Sequence, residues 1–313
     1  MKTDPAQIVI QDNVRNIKKM LLELMLYPRR DLMKWARITK QTPNTKIGYI
    51  GQHLASLVTG VEGTRTGARG HDLSDGSEVK SCSRVDQLDK CNECGAAVAR
   101  IEAECPKCGS TDVKRNNDSK WLISIKSRPE LDILLNHVPR VVLILSDYLN
   151  YEEQDWDTLQ FQVFEIWPTE ERHINFKKLM ENYLYRIYEP HIEQDPSKTP
   201  APKNLWPYSF QFFMCNPIRT FHCIAKNVLE DPQLEVLEYV EPLTDRTTIE
   251  PILMPLSALN DGEKEHLHQC MGDHAYALAE KNGLSAQQRL SLLTLRDTDY
   301  ASPQQSSYQR GVR

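Results

Sequence analysis

Apolar positions recur along this chain with two different periods, and the switch between them outlines the fold. Over residues 5–27, Ile8, Ile17, Leu21 and Leu24 return at helical spacing, with Pro5 near the start and Pro28 expected to stop the helix. A second helix is predicted over residues 29–40. Pro43-Asn44-Thr45 then breaks the chain, and Ile47, Ile50, Leu54, Leu57 and Val58 mark one side of a third helix over residues 46–59. Strand patterns follow: residues 121–126, a continuous apolar run over 140–145 expected to be central and buried on both faces, and residues 159–167. A helix is predicted over 129–137 and an aromatic-rich one over 173–188. Residues 190–203 carry four prolines and read as a linker. Residues 208–214 and 218–225 read as two paired strands around Asn216-Pro217, and 234–239 as a further strand. Helices near 261–271 and 285–295 precede a polar tail from Thr298 that is expected to be disordered. The pattern predicts an α/β (α+β) protein with a mixed central sheet flanked by helices.

Between the third helix and the strands lies a stretch rich in chemistry, Arg69-Gly-His-Asp-Leu-Ser-Asp-Gly-Ser-Glu-Val-Lys-Ser81. Asp75-Gly76 is a hairpin turn signal. On a strand, Glu78 and Lys80 point the same way and Val79 the other. A two-residue loop would set Leu73 opposite Glu78 and turn Asp72 to the wrong side. A three-residue loop, Ser74-Asp75-Gly76, places Gly76 in the left-handed position and Asp72 opposite Glu78, and this register is preferred. Two carboxylates converging on one point can hold Mg²⁺, and a lysine beside them can orient water. Asp72, Glu78 and Lys80 are therefore candidate catalytic residues, with Asp75 a reserve metal ligand. Gln52, on the helix just upstream, is a candidate for orienting the water. The glycine-rich lead over 59–70 lacks the Gly-Lys-Ser/Thr of a phosphate loop and reads as flexible, and His71 is a further residue able to touch a phosphate.

The most specific local signal is Cys91-x-x-Cys94, ten residues, then Cys105-x-x-Cys108, with Gly95 and Gly109 after the two pairs. This is the spacing of a closed, structural four-thiolate Zn²⁺ site, with iron as the competing metal. Lys90, Arg100, Lys107, Lys114 and Arg115 give such a ribbon cations to offer nucleic acid. The ribbon is expected as an insertion between two strands of one sheet, and Lys126 as a residue able to reach the active face. The other four of the eight cysteines are scattered, which fits buried thiols in an intracellular protein and not a disulfide framework.

Composition narrows the class. The chain has 313 residues, 40% hydrophobic and 26% charged, with a net charge of −5. That excludes a globally basic nucleic-acid coat, so any DNA contact must come from a local basic surface. One local basic stretch is Arg15, Lys18, Lys19, Arg29, Arg30, Lys34, Arg37, Lys40 and Lys46. Another candidate is the polar set Asn216, Arg219, Thr220, His222 and Lys226, whose side chains suit base edges. No apolar run is long enough to span a membrane, and the start of the sequence has no signal-peptide pattern.

Asp72 and Glu78-x-Lys80 after a helix resemble the PD-(D/E)xK nuclease core, although His71 stands where the motif has proline and the interval is short. More closely, Ile47-Gly-Tyr-Ile-Gly-Gln-His-Leu-Ala-Ser-Leu-Val-Thr-Gly60, the segment from Arg69 to Ser83, the four cysteines and Ser119-Lys-Trp-Leu122 resemble the MamI-type family of type II restriction endonucleases, over roughly residues 45–150. The resemblance implies Mg²⁺-dependent cleavage of double-stranded DNA at an interrupted palindrome, and it admits GAT/ATC half-sites. It also implies a homodimer, a prokaryotic cytoplasmic setting and a methyltransferase acting on the same site. Its division of the chain is N-terminal helices for dimer or DNA contact (1–45), a nuclease core (46–89 and 118–189), an inserted zinc ribbon (90–117), a recognition region (204–297) and a tail (298–313). Two other readings remain: a noncatalytic zinc-ribbon DNA-binding protein, and a repair nuclease that recognises DNA structure. Mg²⁺-dependent turnover separates the first from the MamI-type reading, and discrete fragments separate the second.

Overall fold

The computed structural model describes residues 1–39, 41, 43, 45–65 and 71–295. Lys40, the lead 66–70 and the tail from Thr298 lie outside the described residues. Helix α1 (Asn13–Leu21) passes through a π-helical turn, Leu22–Leu26, straight into α2 (Tyr27–Thr39). Pro28, expected to end a helix, instead lies inside this continuous run, at the second residue of α2 just after the π-helical turn. Helix α3 (Ile47–Thr59) stops at Gly60, which takes the left-handed cap conformation at φ 73°.

Strand β1 (Glu78–Ser83) is followed by a small ribbon sheet of β2 (Asp89–Cys91), β3 (Ala97–Val98) and β4 (Val113–Lys114). Next come β5 (Trp121–Ile123), the short helix α4 (Arg128–Asp132), β6 (Val141–Tyr148) and β7 (Leu159–Ile166). Helix α5 (Ile174–Tyr183) runs through a π-helical turn into α6 (Glu189–Gln194), so the proline-rich segment begins as helix. Strand β8 (Lys203–Leu205), helix α7 (Phe210–Met214), strands β9 (Ile218–Lys226) and β10 (Gln233–Tyr239), and helices α8 (Asp261–Asn282) and α9 (Leu290–Leu295) complete the chain.

The central sheet has the order β1-β6-β7-β9-β10. Only β1 and β6 are parallel; the other neighbours are antiparallel, so the sheet is mixed. A parallel pair needs a long crossover, and here it carries the ribbon, β5 and α4. Every residue of β6 is buried, as its unbroken apolar run requires. One face of the sheet carries Val79, Val142, Ile144 and Val163 and packs on α1 and α3 through Ile17, Leu21, Leu54 and Val58. The other carries Leu143, Leu145, Phe164 and Ile166 and packs on Trp121, Phe176, Leu179 and Phe212. Among the described residues no helix is long and apolar enough to cross a membrane.

Three local expectations are corrected. Residues 210–214 are helix, not strand: Ser209 caps them by accepting from the Phe212 amide, and all five are buried, so burial gives no period to read. Strand β9 pairs instead with β7 and β10. The strand at 121–126 shrinks to β5, which pairs with β8 in a separate two-stranded sheet. The ribbon lies in the crossover between β1 and β6, which are neighbours in the central sheet, and Lys126 lies past β5 as an exposed coil residue. The arm of the expected hairpin that holds Asp72 is a tight turn, tied to residues 62–64 by a bridge between Leu73 and Gly63 and by the Thr64 amide on the Asp72 carbonyl and the Ser74 amide on the Glu62 carbonyl.

Candidate catalytic edge and metal centre

The turn before β1 is short and heavily bonded. The Asp72 and Leu73 amides both donate to the Ser77 carbonyl, at 3.1 and 3.2 Å, and the Gly76 amide donates to the Leu73 carbonyl at 3.0 Å. Gly76 has φ 88°, the left-handed position the sequence assigned to it. Asp75 serves the turn: its Oδ1 accepts the Ser77 amide at 2.9 Å and its Oδ2 pairs with Arg140 Nη2 at 2.6 Å.

Asp72 sits at the free edge of β1. The Glu78 amide points toward β6 and donates to the Arg140 carbonyl at 3.0 Å. Alternation sends the Val79 amide to the open side, where Asp72 Oδ2 accepts it at 2.8 Å. Gln52 Nε2 reaches across from α3 to donate to Asp72 Oδ1 at 2.8 Å. On the sheet face opposite α3, the Lys80 ammonium contacts Glu78 Oε1, and both side chains are largely covered. Asp72 with Gln52, and Glu78 with Lys80, are thus two separate pairs at the same short stretch of β1, together two carboxylates with one ammonium and one carboxamide. A cation already favours Glu78, and each Asp72 oxygen keeps a second lone pair beyond the bond it accepts. This donor set fits a hard divalent ion such as Mg²⁺, which prefers a few carboxylates and keeps water as its other ligands.

In the ribbon, the four cysteine sulfurs lie within 4.8 Å of one another. Cys91 and Cys108 are 3.6 Å apart, as are Cys94 and Cys105. A tetrahedron of thiolates about 2.3 Å from Zn²⁺ has edges of about 3.8 Å, so the cluster has the size of a zinc site. Gly95 and Gly109, at φ 69° and 74°, return their amides to the Cys91 and Cys105 carbonyls and close the two knuckles.

Two ribbon cations predicted to face nucleic acid are instead inside. Arg100 is fully buried, bonded to Asp89 at 2.9 Å, with its guanidinium 4.9 Å from the Trp156 ring and 5.2 Å from Tyr151. Arg115 also binds Asp89 at 2.9 Å. Both tie the ribbon to the core and are removed from the set of surface cations, while Lys90, Lys107 and Lys114 are exposed. Arg29 leaves the N-terminal basic surface for the same reason, being buried against Asp86 and Tyr148.

The predicted base-contacting set is dispersed. Asn216, at φ 53°, donates to the Arg172 carbonyl, and Lys226 pairs with Glu235 at the surface. Thr220 is fully buried, with its hydroxyl 3.5 Å from the Val163 carbonyl, and so has no reach to a ligand. His222 is half-buried on Gln160; burial and then Arg219 push its imidazole down to about 4. Arg219 is best placed: it binds Glu238 at 2.6 Å and Gln162 at 3.3 Å beside a cleft of about 670 Å³ that Tyr208, Glu250 and Ile252 also line. Arg219 and Lys80 share a row across the sheet, Lys80–Leu143–Phe164–Arg219. Three strand spacings separate them, about 14 Å. Sequence reading missed Gln162, Tyr208 and Glu238; the available signal was Gln162 standing polar within an apolar strand.

Comparison with known proteins places the chain in a family. The model of the MamI restriction endonuclease family matches residues 34–257, more than half of the chain. The type II restriction enzyme MamI of Microbacterium ammoniaphilum is 32% identical over 85 residues, 27% of this chain and 28% of that enzyme. The aligned stretch therefore spans less than a third of that relative. No solved structure matches the chain. Its sequence over most of its length, with the acidic edge and the cysteine cluster on it, makes the chain a member of the MamI restriction endonuclease family.

Proposed function

We propose that the protein is a type II site-specific deoxyribonuclease that hydrolyses phosphodiester bonds of double-stranded DNA on a PD-(D/E)xK core. The observation that carries this reading is the joining of Asp72 to the Val79 amide, which fixes one carboxylate beside the Glu78-Val79-Lys80 strand. Asp72 and Glu78 would hold Mg²⁺, which supplies charge stabilisation for the transition state. Lys80 orients the attacking water and takes part in its deprotonation. Gln52 holds Asp72 in place, with an amide where an acid would add a further ligand. The four cysteines hold Zn²⁺ as a closed structural site with no position for substrate.

The division into N-terminal helices (1–45), nuclease core (46–89 and 118–189), ribbon (90–117) and recognition region (204–297) belongs to the same proposal. So do a cytoplasmic homodimer, a palindromic site and a methyltransferase protecting it. Base contact would fall to the cleft beside Arg219, where Gln162 and Glu238 add hydrogen-bonding groups.

Incubation of the purified protein with phage-length duplex DNA, with Mg²⁺ or with EDTA, tests the reading. Discrete fragments only with Mg²⁺ are expected, and sequencing their ends gives the site. A smear points to a structure-directed or nonspecific nuclease. A gel shift without cleavage points to a noncatalytic zinc-ribbon DNA-binding protein.

A further inference from the structure

Arg140 stands one residue before β6 and is almost fully buried. Its Nε donates to Ser77 Oγ at 3.0 Å, its Nη1 to Thr3 Oγ1 at 3.1 Å and its Nη2 to Asp75 Oδ2 at 2.6 Å. Glu165 Oε1 lies 3.5 Å from Nη1, and the guanidinium stands 5.4 Å from the centre of the Trp167 ring. Its backbone carbonyl accepts the Glu78 amide. One residue therefore grips the middle of the 72–77 turn, its end, and the first residue of β1.

The charges around it close on themselves. Glu165 is fully buried between Arg140 and Arg246. Burial alone would raise its carboxyl, but the two guanidinium groups outweigh it and hold it below the usual carboxylate range. With Asp75 counted, two buried cations meet two acids, the condition for keeping such charges away from water. A lysine cannot reproduce this, because one ammonium cannot span Ser77, Thr3 and Asp75 as a planar five-donor fork does.

The turn needs such a clamp. Asp72 is not carried on a regular strand: backbone hydrogen bonds to residues 62–64 and to Ser77 hold that arm, but they run through its main chain and not through the Asp72 carboxylate. We propose that Arg140 is a positioning residue for the catalytic edge: by clamping Asp75 and Ser77 from beneath, it sets the Asp72 carboxylate against the Val79 amide and so sets its spacing from Glu78. This rests on the nuclease reading, in which Asp72 and Glu78 act together on a divalent ion. Asp75 is then part of the clamp and not a ligand.

The test compares the full chain with Asp75→Asn, Arg140→Lys and Asp72→Asn. The first readout is hydrogen exchange of the Val79 amide without divalent ion, beside β7 amides as a control. The second is Mn²⁺ binding by calorimetry. Asp75→Asn and Arg140→Lys are expected to speed Val79 exchange by about tenfold or more while β7 stays protected. They are also expected to weaken Mn²⁺ binding by about tenfold. Should Arg140→Lys lose protection in β7 as well, Asp75→Asn at the outer end of the clamp decides alone. Unchanged Val79 exchange and unchanged Mn²⁺ affinity in Asp75→Asn overturn the proposal. So does loss of Mn²⁺ binding in Asp75→Asn with wild-type binding in Asp72→Asn, which would make Asp75 the ligand. If the wild-type protein fails to cut DNA with Mg²⁺, the nuclease reading falls, and the exchange measurement still judges the clamp.

Discussion

Gly51 of α3 faces Ser81 of β1 so closely that a Cβ on Gly51 would stand 1.9 Å from Ser81 Oγ and 2.9 Å from its Cβ. The helix therefore lies on the strand at a distance that only glycine permits, and the next residue, Gln52, reaches Asp72 from it. Gly51→Ala should push α3 off β1, costing about 1–3 kcal/mol by overpacking, and should cut DNA cleavage further than the lost stability explains. Gly48 on the same helix has nothing within 4 Å of its Cβ position. Gly48→Ala is expected to raise stability by up to about 1 kcal/mol through helix propensity. Denaturant titration and cleavage assays of the two variants check this; equal effects would mean that the close approach has no consequence.

Glu78 and Lys80 make a second, separable prediction. Glu78→Ala and Lys80→Ala should each abolish cutting while zinc content and unfolding midpoint stay near wild type, since both side chains lie at the sheet edge outside the core clusters. Their metal behaviour should differ. Lys80 neutralises Glu78, so Lys80→Met removes a competitor for the carboxylate and should keep or tighten Mn²⁺ binding with cleavage gone, while Glu78→Gln should weaken it. Cleavage by either alanine variant would sink the assignment.

What the sequence disclosed and what it hid follow from how local each signal is. The cysteine ribbon was legible because its ligands come in pairs with two residues between them, each closed by a glycine. The third helix and β6 were legible because one shows a clear period and the other an unbroken apolar run. Residues 210–214 were not, because a segment buried on all sides has no polar face to set its period. The buried arginines were hidden for a different reason. Arg29, Arg140 and Arg246 meet their acids 57, 65 and 81 residues away, and nothing near them in sequence distinguishes an inward cation from a surface one. Two ribbon arginines were assigned to DNA for the same reason. The candidate catalytic turn was half legible: the Asp75-Gly76 signal placed Gly76, but the joining of Asp72 to a backbone amide and to Gln52 depends on how α3 docks.

The ribbon should carry one zinc ion per chain, measurable by elemental analysis, and Cys105→Ser should lose it. Metal removal should be felt in the core, because Arg100 binds Asp89 and lies 4.9 Å from Trp156. Zinc chelation is therefore expected to change tryptophan fluorescence and lower the unfolding midpoint. Arg100→Met should destabilise by about 3–5 kcal/mol, the range for stripping a partner from a buried pair, while Arg115→Met, at the more open side of Asp89, should cost less. A ribbon that loses zinc with no change in the core signal would be an independent appendage.

His173 sets an acid limit on stability. Its Nδ1 donates to the Cys215 carbonyl at 2.9 Å, and its Nε2 has no hydrogen-bond partner among the described residues. Burial, with Arg172 adding to it, pushes its imidazole down to about 4. In the unfolded chain the group titrates near 6.5, so the unfolded state takes the proton first. The folded state is at full advantage above about pH 6.5 and loses it as pH falls toward about 4, by up to about 3 kcal/mol. Asp147 works in the opposite sense over part of this window: burial raises its carboxyl to about 6, so its ionisation costs stability as pH rises. The difference between wild type and His173→Gln, not the raw curve, isolates the histidine. The glutamine amide can keep the bond to Cys215 but cannot titrate. Its stability should therefore fall less between pH 6.5 and 4, and parallel curves for the two proteins would show that His173 is not the group that yields to acid.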